Sequence, residues 1–167
     1  MRGKVFIMSL FLLLLTSCIK EDQSGADLSV GDRLPDFTAV MNDGSQITGV
    51  QLQTGVSCIV FFTTGCPDCQ KALPHIQRVY DEYVSQDIQF VLISREESDE
   101  SVARYWAEQG LTMPYSPQQD RSIYELFAKT RVPRIYICRD GIIQSIFTDE
   151  PAPTYESIVA ELNNIKL

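Results

Sequence analysis

Hydrophobic residues fall into two kinds of pattern along the chain, continuous apolar runs and apolar stripes at helical spacing. The runs at 57–62 and 89–93 are rich in β-branched and aromatic residues, which favours strands that are covered on both faces. Residues 66–84, between these runs, carry apolar residues at the spacing of an amphipathic helix. A strand, a helix and a second strand of these lengths predict a parallel βαβ unit with a right-handed crossover.

Three further helices are predicted after this unit. Ser98 is a favourable N-cap for a helix that ends at Gly110, since glycine readily takes the left-handed conformation that closes a helix. A shorter helix is expected over residues 120–129, because its apolar residues lie on one stripe. A last amphipathic helix is expected over residues 154–165.

Hairpins are predicted at both ends of the folded region. Residues 134–138 and 142–147 are strand-like and lie close together along the chain, so they are expected to pair antiparallel. Nearer the N-terminus, residues 37–41 and 46–48 flank the turn-forming residues 42–44, which indicates another hairpin. Together these elements predict an α/β fold in which helices flank a central mixed sheet, with an N-terminal hairpin extension.

The N-terminal residues follow a different pattern. Arg2 and Lys4 precede an apolar run over residues 5–15, which is shorter than the roughly 20 residues that a membrane-spanning helix requires. A positive start and an apolar core of this length are typical of an export signal. Residues 15–18 resemble the lipobox of bacterial lipoproteins, in which the cysteine, here Cys18, is lipidated and becomes the first residue. An ordinary secretory signal is the alternative.

This resemblance divides the chain into three parts. We expect residues 1–17 to be a lipoprotein signal peptide, residues 18–30 a flexible tether, and residues 31–167 one domain of ordinary size. The domain would then be held in the cell envelope by a lipid anchor, facing the periplasm or the outside. The net charge of −8 argues against nucleic-acid binding, since an acidic surface repels phosphate.

The candidate chemistry lies where the first long strand meets its helix, at Cys66-Pro67-Asp68-Cys69. Unpaired backbone N–H groups at the start of a helix stabilise a thiolate, so Cys66 is the predicted nucleophile. Cys69 lies one turn deeper on the same side, and it is expected to resolve the mixed disulfide. The charge of Asp68 opposes a thiolate at Cys66 but suits the positive end of the helix dipole.

A structural disulfide and half of a zinc site are the other interpretations of this motif. A structural zinc ion needs four ligands, and the sequence contains no second CxxC and no CxxH motif, so no metal is expected. A dithiol that cycles between thiols and a disulfide also needs no cofactor. The five cysteines are too few for a small scaffold stapled by disulfides.

The motif and its surroundings resemble the thioredoxin-like family. Pro74 matches a proline within the helix of that family, and Val132-Pro133 matches a cis-proline before the next antiparallel strand. The resemblance implies a three-layer thioredoxin-like sandwich in which Val132 and Pro133 face the dithiol and offer backbone groups to an extended substrate peptide. Without the resemblance, a trans proline at the start of an edge strand would be favoured.

Residues 31–37, followed by Asp43 and Gly44, resemble one branch in particular, the membrane-anchored TlpA/ResA-type thiol–disulfide oxidoreductases. The resemblance extends from about residue 31 to the C-terminus, with an insertion that includes residues 98–110. It implies that the protein reduces disulfides in envelope proteins. The expected partners are therefore disulfide-bearing exported proteins, a membrane thiol reductant that supplies electrons, and the membrane through the lipid anchor.

Two alternatives to this function come from other classes. The first is a peroxiredoxin-like thiol peroxidase. Thr63 and Cys66 match the Thr-x-x-Cys motif of those enzymes, but Ile59 stands where they carry proline. A non-catalytic binding module would keep the fold, although an intact pair of cysteines argues against it.

The sequence departs from the thioredoxin-like pattern around the dithiol. Val60 stands where thioredoxin has a buried aspartate, and Ala72 stands where some ResA-type members have an acidic residue. A proton acceptor for Cys69 is therefore not evident. Glu96 and Glu97 are candidates because they follow a strand end on the active-site side of a parallel sheet, and solvated loop charges are the alternative.

The histidine and two further cysteines of the predicted domain are expected to have structural roles only. His75 is the only histidine, but the helical rise places it about 13 Å from Cys66, so a surface position is expected. Cys58 and Cys138 lie in apolar strands and are expected to be small buried side chains. Because these strands are antiparallel neighbours in the thioredoxin pattern, a disulfide between the two cysteines is the alternative.

Overall fold

A computed structural model describes residues 27–166, so the predicted signal peptide and Cys18 lie outside the described residues. Within these residues the elements follow the predicted order along the chain. The strands are β1 (Thr38–Val40), β2 (Gln46–Thr48), β3 (Val56–Phe62), β4 (Ile88–Ser94), β5 (Tyr115–Ser116), β6 (Arg134–Arg139) and β7 (Ile142–Phe147). The helices are α1 (Pro67–Tyr83), α2 (Asp99–Gln109), α3 (Ser122–Glu125) and α4 (Tyr155–Lys166).

Five strands form one mixed sheet in the order β5-β4-β3-β6-β7. β4 pairs in parallel with both β3 and β5, whereas β6 pairs antiparallel with both β3 and β7. β1 and β2 form a separate antiparallel hairpin. The predicted mixed sheet and the N-terminal hairpin are therefore both confirmed.

The two faces of β3 are covered by different elements, because neighbouring side chains in a strand point to opposite faces. The ring of Phe62 lies 4.9 Å from that of Trp106 in α2, and the ring of Phe61 lies 5.4 Å from that of Tyr124 in α3. Both phenylalanines are fully buried. The sheet is the middle of three layers, as the thioredoxin-like pattern implies.

Local signals in the sequence explain where α1 and α2 begin and end. Pro67 occupies the first position of α1, where its missing N–H costs nothing, and Asp68 places negative charge in the first turn. The Ser98 side chain accepts the Ser101 backbone N–H at 3.3 Å and caps α2. Gly110 ends α2 with φ of +64°, in the left-handed region.

The helix predicted over residues 120–129 is wrong in length, since α3 covers only Ser122–Glu125. Phe127 follows α3 and is fully buried, with its ring centroid 4.9 Å from that of Phe61. The Phe127 carbonyl accepts the Tyr136 hydroxyl at 3.0 Å and the Leu28 backbone N–H at 2.9 Å, so it is not available to a continuing helix. Tertiary packing thus overrides the helical spacing.

The packed domain begins before the predicted boundary at Gly31. Leu28 is buried, and Asp27 accepts the Lys129 backbone N–H at 2.8 Å. Residues 27–30, which were assigned to the tether, therefore contact the domain. Among residues 27–166, no helix is both long enough and apolar enough to cross a membrane.

Candidate active site

Cys66 lies at the junction of β3 and α1. Its backbone is extended, with φ of −87° and ψ of 120°, and it is the N-cap residue of α1. Its carbonyl accepts the Gln70 backbone N–H at 2.9 Å, and its own N–H donates to the Thr63 carbonyl at 3.3 Å. Cys66 therefore stands at the positive end of the α1 dipole.

The two thiols of the motif differ in their exposure to solvent. Cys69 is 0% exposed, whereas Cys66 is half-buried, and the two side chains interact directly. Burial raises the pKa of the Cys69 thiol, and a hydrogen bond from the Thr63 backbone N–H opposes this effect. A reactant from solvent therefore meets Cys66 first, while Cys69 keeps its proton in the resting state.

The segment that contains Pro133 lies against the first cysteine. The Val132–Pro133 peptide bond is cis. The Cys66 thiol donates to the Val132 carbonyl at 3.4 Å, although the two residues are 66 positions apart. Val132 and Pro133 are both buried. The structure thus brings together the dithiol and the segment that the resemblance assigns to substrate binding.

The acidic residue inside the motif has a partner of its own. Asp68 forms an ion pair of 2.9 Å with Lys71, one turn further along α1, and both side chains are exposed. A hydrogen bond from Lys71 to the Asp68 carboxylate, and the charge of that carboxylate, raise the pKa of Lys71. The negative charge of Asp68 is therefore compensated within α1 by an exposed partner.

Glu97 bonds to the loop before Cys66, a position that the sequence did not predict. Its carboxylate accepts the Thr64 backbone N–H at 2.8 Å and the Thr64 hydroxyl at 2.6 Å. The Thr64 carbonyl in turn accepts the Gln70 side-chain amide at 2.8 Å. Glu97 is therefore neither a solvated loop charge nor a contact of Cys69, and it holds the loop that leads into Cys66.

Replacing Glu97 by alanine is expected to reduce both stability and activity. The Thr64 N–H and hydroxyl would lose their acceptor in a half-buried loop, which costs about 1–3 kcal/mol in the free energy of unfolding. We expect the rate of disulfide reduction to fall by about tenfold as the loop before Cys66 becomes less ordered. Urea unfolding and an insulin reduction assay measure the two effects.

Glu96→Ala is the matched control, because Glu96 is exposed and its ion pair is a 3.3 Å contact with Arg95. Its effect on stability should stay within about 0.5 kcal/mol. Equal effects of the two alanine substitutions would show that the bonds to Thr64 do not matter.

Arg95, which carries no recognisable signal in the sequence, also acts on Cys69. Burial has the largest effect on the Cys69 thiol, and the charge of Arg95 lowers its pKa. The Arg95 backbone N–H donates to the Phe62 carbonyl at 2.8 Å, which places this residue beside the end of β3. Burial is the largest cause that raises the pKa of Tyr105 in the inserted helix α2, and this residue also interacts electrostatically with Cys69.

The disulfide considered between Cys58 and Cys138 does not fit the register of the sheet. Cys58 lies opposite Ile137, and Cys138 lies opposite Ser57. Directly opposed residues share a face of the sheet and adjacent residues alternate, so the two cysteines point to opposite faces. Both thiols are free and buried, and burial raises the pKa of each to about 12. They are inert side chains of the core, as predicted.

His75 is half-buried on α1 and interacts electrostatically with Glu156 of α4, away from the dithiol. Within the described part of the chain, no group of three or more His, Cys, Asp or Glu side chains is arranged to hold a metal ion.

A buried strand that ends in a CxxC motif, with a cis-proline segment against its first cysteine, defines the class of thioredoxin-fold dithiol proteins. Residues 30–146 match the model of the AhpC/TSA family. Because this match covers more than half of the chain, the protein belongs to that family.

The curated relatives include the thiol-disulfide oxidoreductase ResA of Halalkalibacterium halodurans. It is 24% identical over 119 residues, which cover 71% of this chain and 68% of the relative. A second ResA, from Oceanobacillus iheyensis, is 26% identical over 141 residues, which cover 81% of this chain and 72% of the relative. The predicted TlpA/ResA-type resemblance and the predicted enzyme class, a thiol–disulfide oxidoreductase, are confirmed.

The fold also resembles that of a secreted disulfide oxidoreductase of Mycobacterium tuberculosis. The TM-score is 0.68 at 18% sequence identity, and the match covers 77% of this chain and 95% of that chain. At this level of identity the likeness shows the fold alone.

Proposed function

We propose that this protein reduces disulfide bonds in exported proteins with the dithiol of Cys66 and Cys69. The observation that carries the proposal is the asymmetry of the two thiols, with Cys66 reachable beside the Val132 carbonyl and Cys69 fully buried behind it. In a dithiol mechanism the nucleophile has to be accessible to the substrate, whereas the resolving thiol can be buried because it acts only after the first thiol has reacted.

The reaction takes two steps. The Cys66 thiolate attacks one sulfur of the substrate disulfide, which forms a mixed disulfide and releases the other substrate sulfur as a thiolate. Cys69 then loses its proton and attacks the Cys66 sulfur. The products are a disulfide between Cys66 and Cys69 and a fully reduced substrate, whose two sulfurs carry the two electrons and take up protons. No cofactor enters either step.

The substrate is proposed to bind as an extended peptide along Val132 and Pro133. The Val132 carbonyl lies 3.4 Å from the Cys66 sulfur, so a peptide that bonds to the Val132 backbone would carry its disulfide to that sulfur. Backbone bonds do not depend on the side chains of the substrate, which suits an enzyme with several protein substrates.

The direction of the reaction is expected to be reductive. Strongly oxidising dithiols have a stabilised reduced form, with potentials near about −120 mV, whereas thioredoxin lies near about −270 mV. Reduction of substrate disulfides requires a potential near the thioredoxin value, so we expect a potential close to that of thioredoxin. Equilibration with glutathione or dithiothreitol buffers measures it, and Cys58→Ala should give the same value. A potential above about −150 mV would contradict a reductase.

A thiol peroxidase is the second candidate, and membership of the AhpC/TSA family is the observation that favours it. The two functions differ in the product at Cys66. A peroxidase forms a sulfenic acid at this residue with hydrogen peroxide, which a dimedone label detects by mass spectrometry. Rapid peroxide consumption together with slow reduction of insulin would favour the peroxidase.

We further propose that the domain acts in the cell envelope and is anchored by a lipid on Cys18. The apolar run over residues 5–15 and the cysteine that follows it support this location. A membrane thiol reductant would return the disulfide to the dithiol state. Cys18→Ser should move the protein from the membrane fraction to the soluble fraction, and an unchanged distribution would exclude the lipid anchor.

A further inference from the structure

Arg134 is a buried cation that directly follows Pro133. Its side chain is 7% exposed and forms an ion pair of 3.0 Å with Asp27. The same guanidinium donates to the Thr130 carbonyl at 3.2 Å. The Arg134 guanidinium therefore bonds to the segment from Thr130 to Arg134, and this segment carries the Val132 carbonyl that contacts Cys66.

Asp27 binds this segment at a second point. Its other carboxylate oxygen accepts the Lys129 backbone N–H at 2.8 Å, so one side chain joins Lys129 to Arg134. The next residue, Leu28, is buried and donates its backbone N–H to the Phe127 carbonyl at 2.9 Å. The chain just before the hairpin of β1 and β2 thus lies along the substrate segment and supports it.

The charges on this pair make the contact important. A buried guanidinium without a counter-ion carries a large desolvation cost, and Asp27 provides the opposite charge. The Lys129 backbone bond, and then the charge of Arg134, lower the pKa of the Asp27 carboxyl against the opposing effect of burial. Asp27 is therefore ionised at neutral pH, and the ion pair is intact under the conditions in which the enzyme works.

Other side chains hold the same segment from within the domain. The Tyr124 hydroxyl donates to the Arg131 carbonyl at 2.7 Å, and Arg121 donates to the Lys129 carbonyl at 2.8 Å. These bonds support the residues on the N-terminal side of Val132. The Asp27–Arg134 pair differs because it reaches both sides of Val132, through Lys129 before it and through Arg134 after it.

We propose that Asp27 and Arg134 are positioning residues for the protein substrate. They hold residues 130–134 in the geometry in which the Val132 backbone faces Cys66, and they thereby lower the KM for an extended peptide. The inference rests on the proposed function, because it takes the Val132–Pro133 segment as the place where the substrate disulfide binds. Neither residue touches the reacting sulfurs.

The test compares a protein disulfide with a small one. Insulin has to bind along the segment, whereas oxidised glutathione is small enough to react with Cys66 without such support. For Asp27→Asn we expect the KM for insulin to rise by about tenfold, which corresponds to the loss of one charge-assisted hydrogen bond. The rate with oxidised glutathione should stay within about twofold, since the dithiol itself is unchanged.

Three further variants separate positioning from a general loss of structure. Asp27→Glu keeps the charge and should restore most of the affinity for insulin. Asp32→Asn is the matched control, since the Asp32 carboxylate accepts the Ser29 backbone N–H at 2.8 Å. In a double-mutant cycle with Arg134→Met, the combined variant should raise the KM no more than either single change, because both remove the same ion pair.

The outcomes are distinct. A rise in the insulin KM with an unchanged glutathione rate, reversed by Asp27→Glu, supports the inference. An unchanged KM in Asp27→Asn, or an equal loss with both substrates, overturns the inference and leaves the proposed function intact. A wild-type protein that does not reduce insulin overturns the proposed function and this inference with it.

Discussion

Cys66→Ser is expected to abolish the reduction of protein disulfides, with a rate that falls by roughly a thousandfold or more, as when the nucleophile of a covalent mechanism is removed. Serine is almost the same size as cysteine, so the fold should be unchanged. Its hydroxyl is not ionised near neutral pH, however, and does not form a mixed disulfide. Insulin reduction with dithiothreitol as electron donor measures the loss, and near-normal activity would rule out the proposed nucleophile.

Cys69→Ser should behave differently from Cys66→Ser. Cys66 remains able to attack the substrate, but the buried second thiol that releases the product is missing. The mixed disulfide should therefore accumulate, and non-reducing electrophoresis or intact mass spectrometry should detect a covalent adduct with the substrate. Cys138→Ala is the control, because Cys138 is a buried cysteine in β6, remote from the motif in the sheet register. It should retain activity and form no adduct.

Phe61→Ala is expected to have the largest effect on stability. Phe61 is fully buried in β3, and its ring contacts those of Phe127 at 4.9 Å, Tyr124 at 5.4 Å and Tyr136 at 6.2 Å. Truncation leaves a cavity among three rigid rings that cannot close around it, and such changes cost about 3–5 kcal/mol in the free energy of unfolding. Urea denaturation measures this loss from the shift in midpoint.

Phe61→Leu refills part of the same cavity and should cost clearly less than Phe61→Ala. Val50→Ala is the surface control, since Val50 is 66% exposed, and its effect should stay within about 0.5 kcal/mol. A loss below about 1 kcal/mol for Phe61→Ala would mean that the aromatic cluster is not the tight core described for β3. The Tyr124 ring packs on Phe61, and the Tyr124 hydroxyl donates to the Arg131 carbonyl in the substrate segment. Phe61→Ala should therefore lose affinity for insulin as well as stability.

The sequence was sufficient to predict features that depend on residues close together along the chain. The CxxC motif at a strand end, the cap at Ser98 and the turn at 42–44 are local, and the structure has a helix or hairpin at each of them. The prediction was wrong in length for α3, because the Phe127 carbonyl bonds to the distant residues Tyr136 and Leu28 and not to a further helical turn. It was incomplete for residues 27–30, which follow the polar stretch expected to be a tether but include the apolar residues Leu28 and Val30.

The sequence by itself determined the mixed α/β pattern, the position of the dithiol and the choice of Cys66 as its accessible member. Tertiary structure alone decided the contacts between distant segments. These are the Glu97 bonds to Thr64, the Val132 carbonyl at Cys66, and the Asp27–Arg134 pair. The physical reason is that strand register and core packing bring residues together regardless of their separation along the chain. The register that places Cys138 opposite Ser57, for example, sends Cys58 and Cys138 to opposite faces.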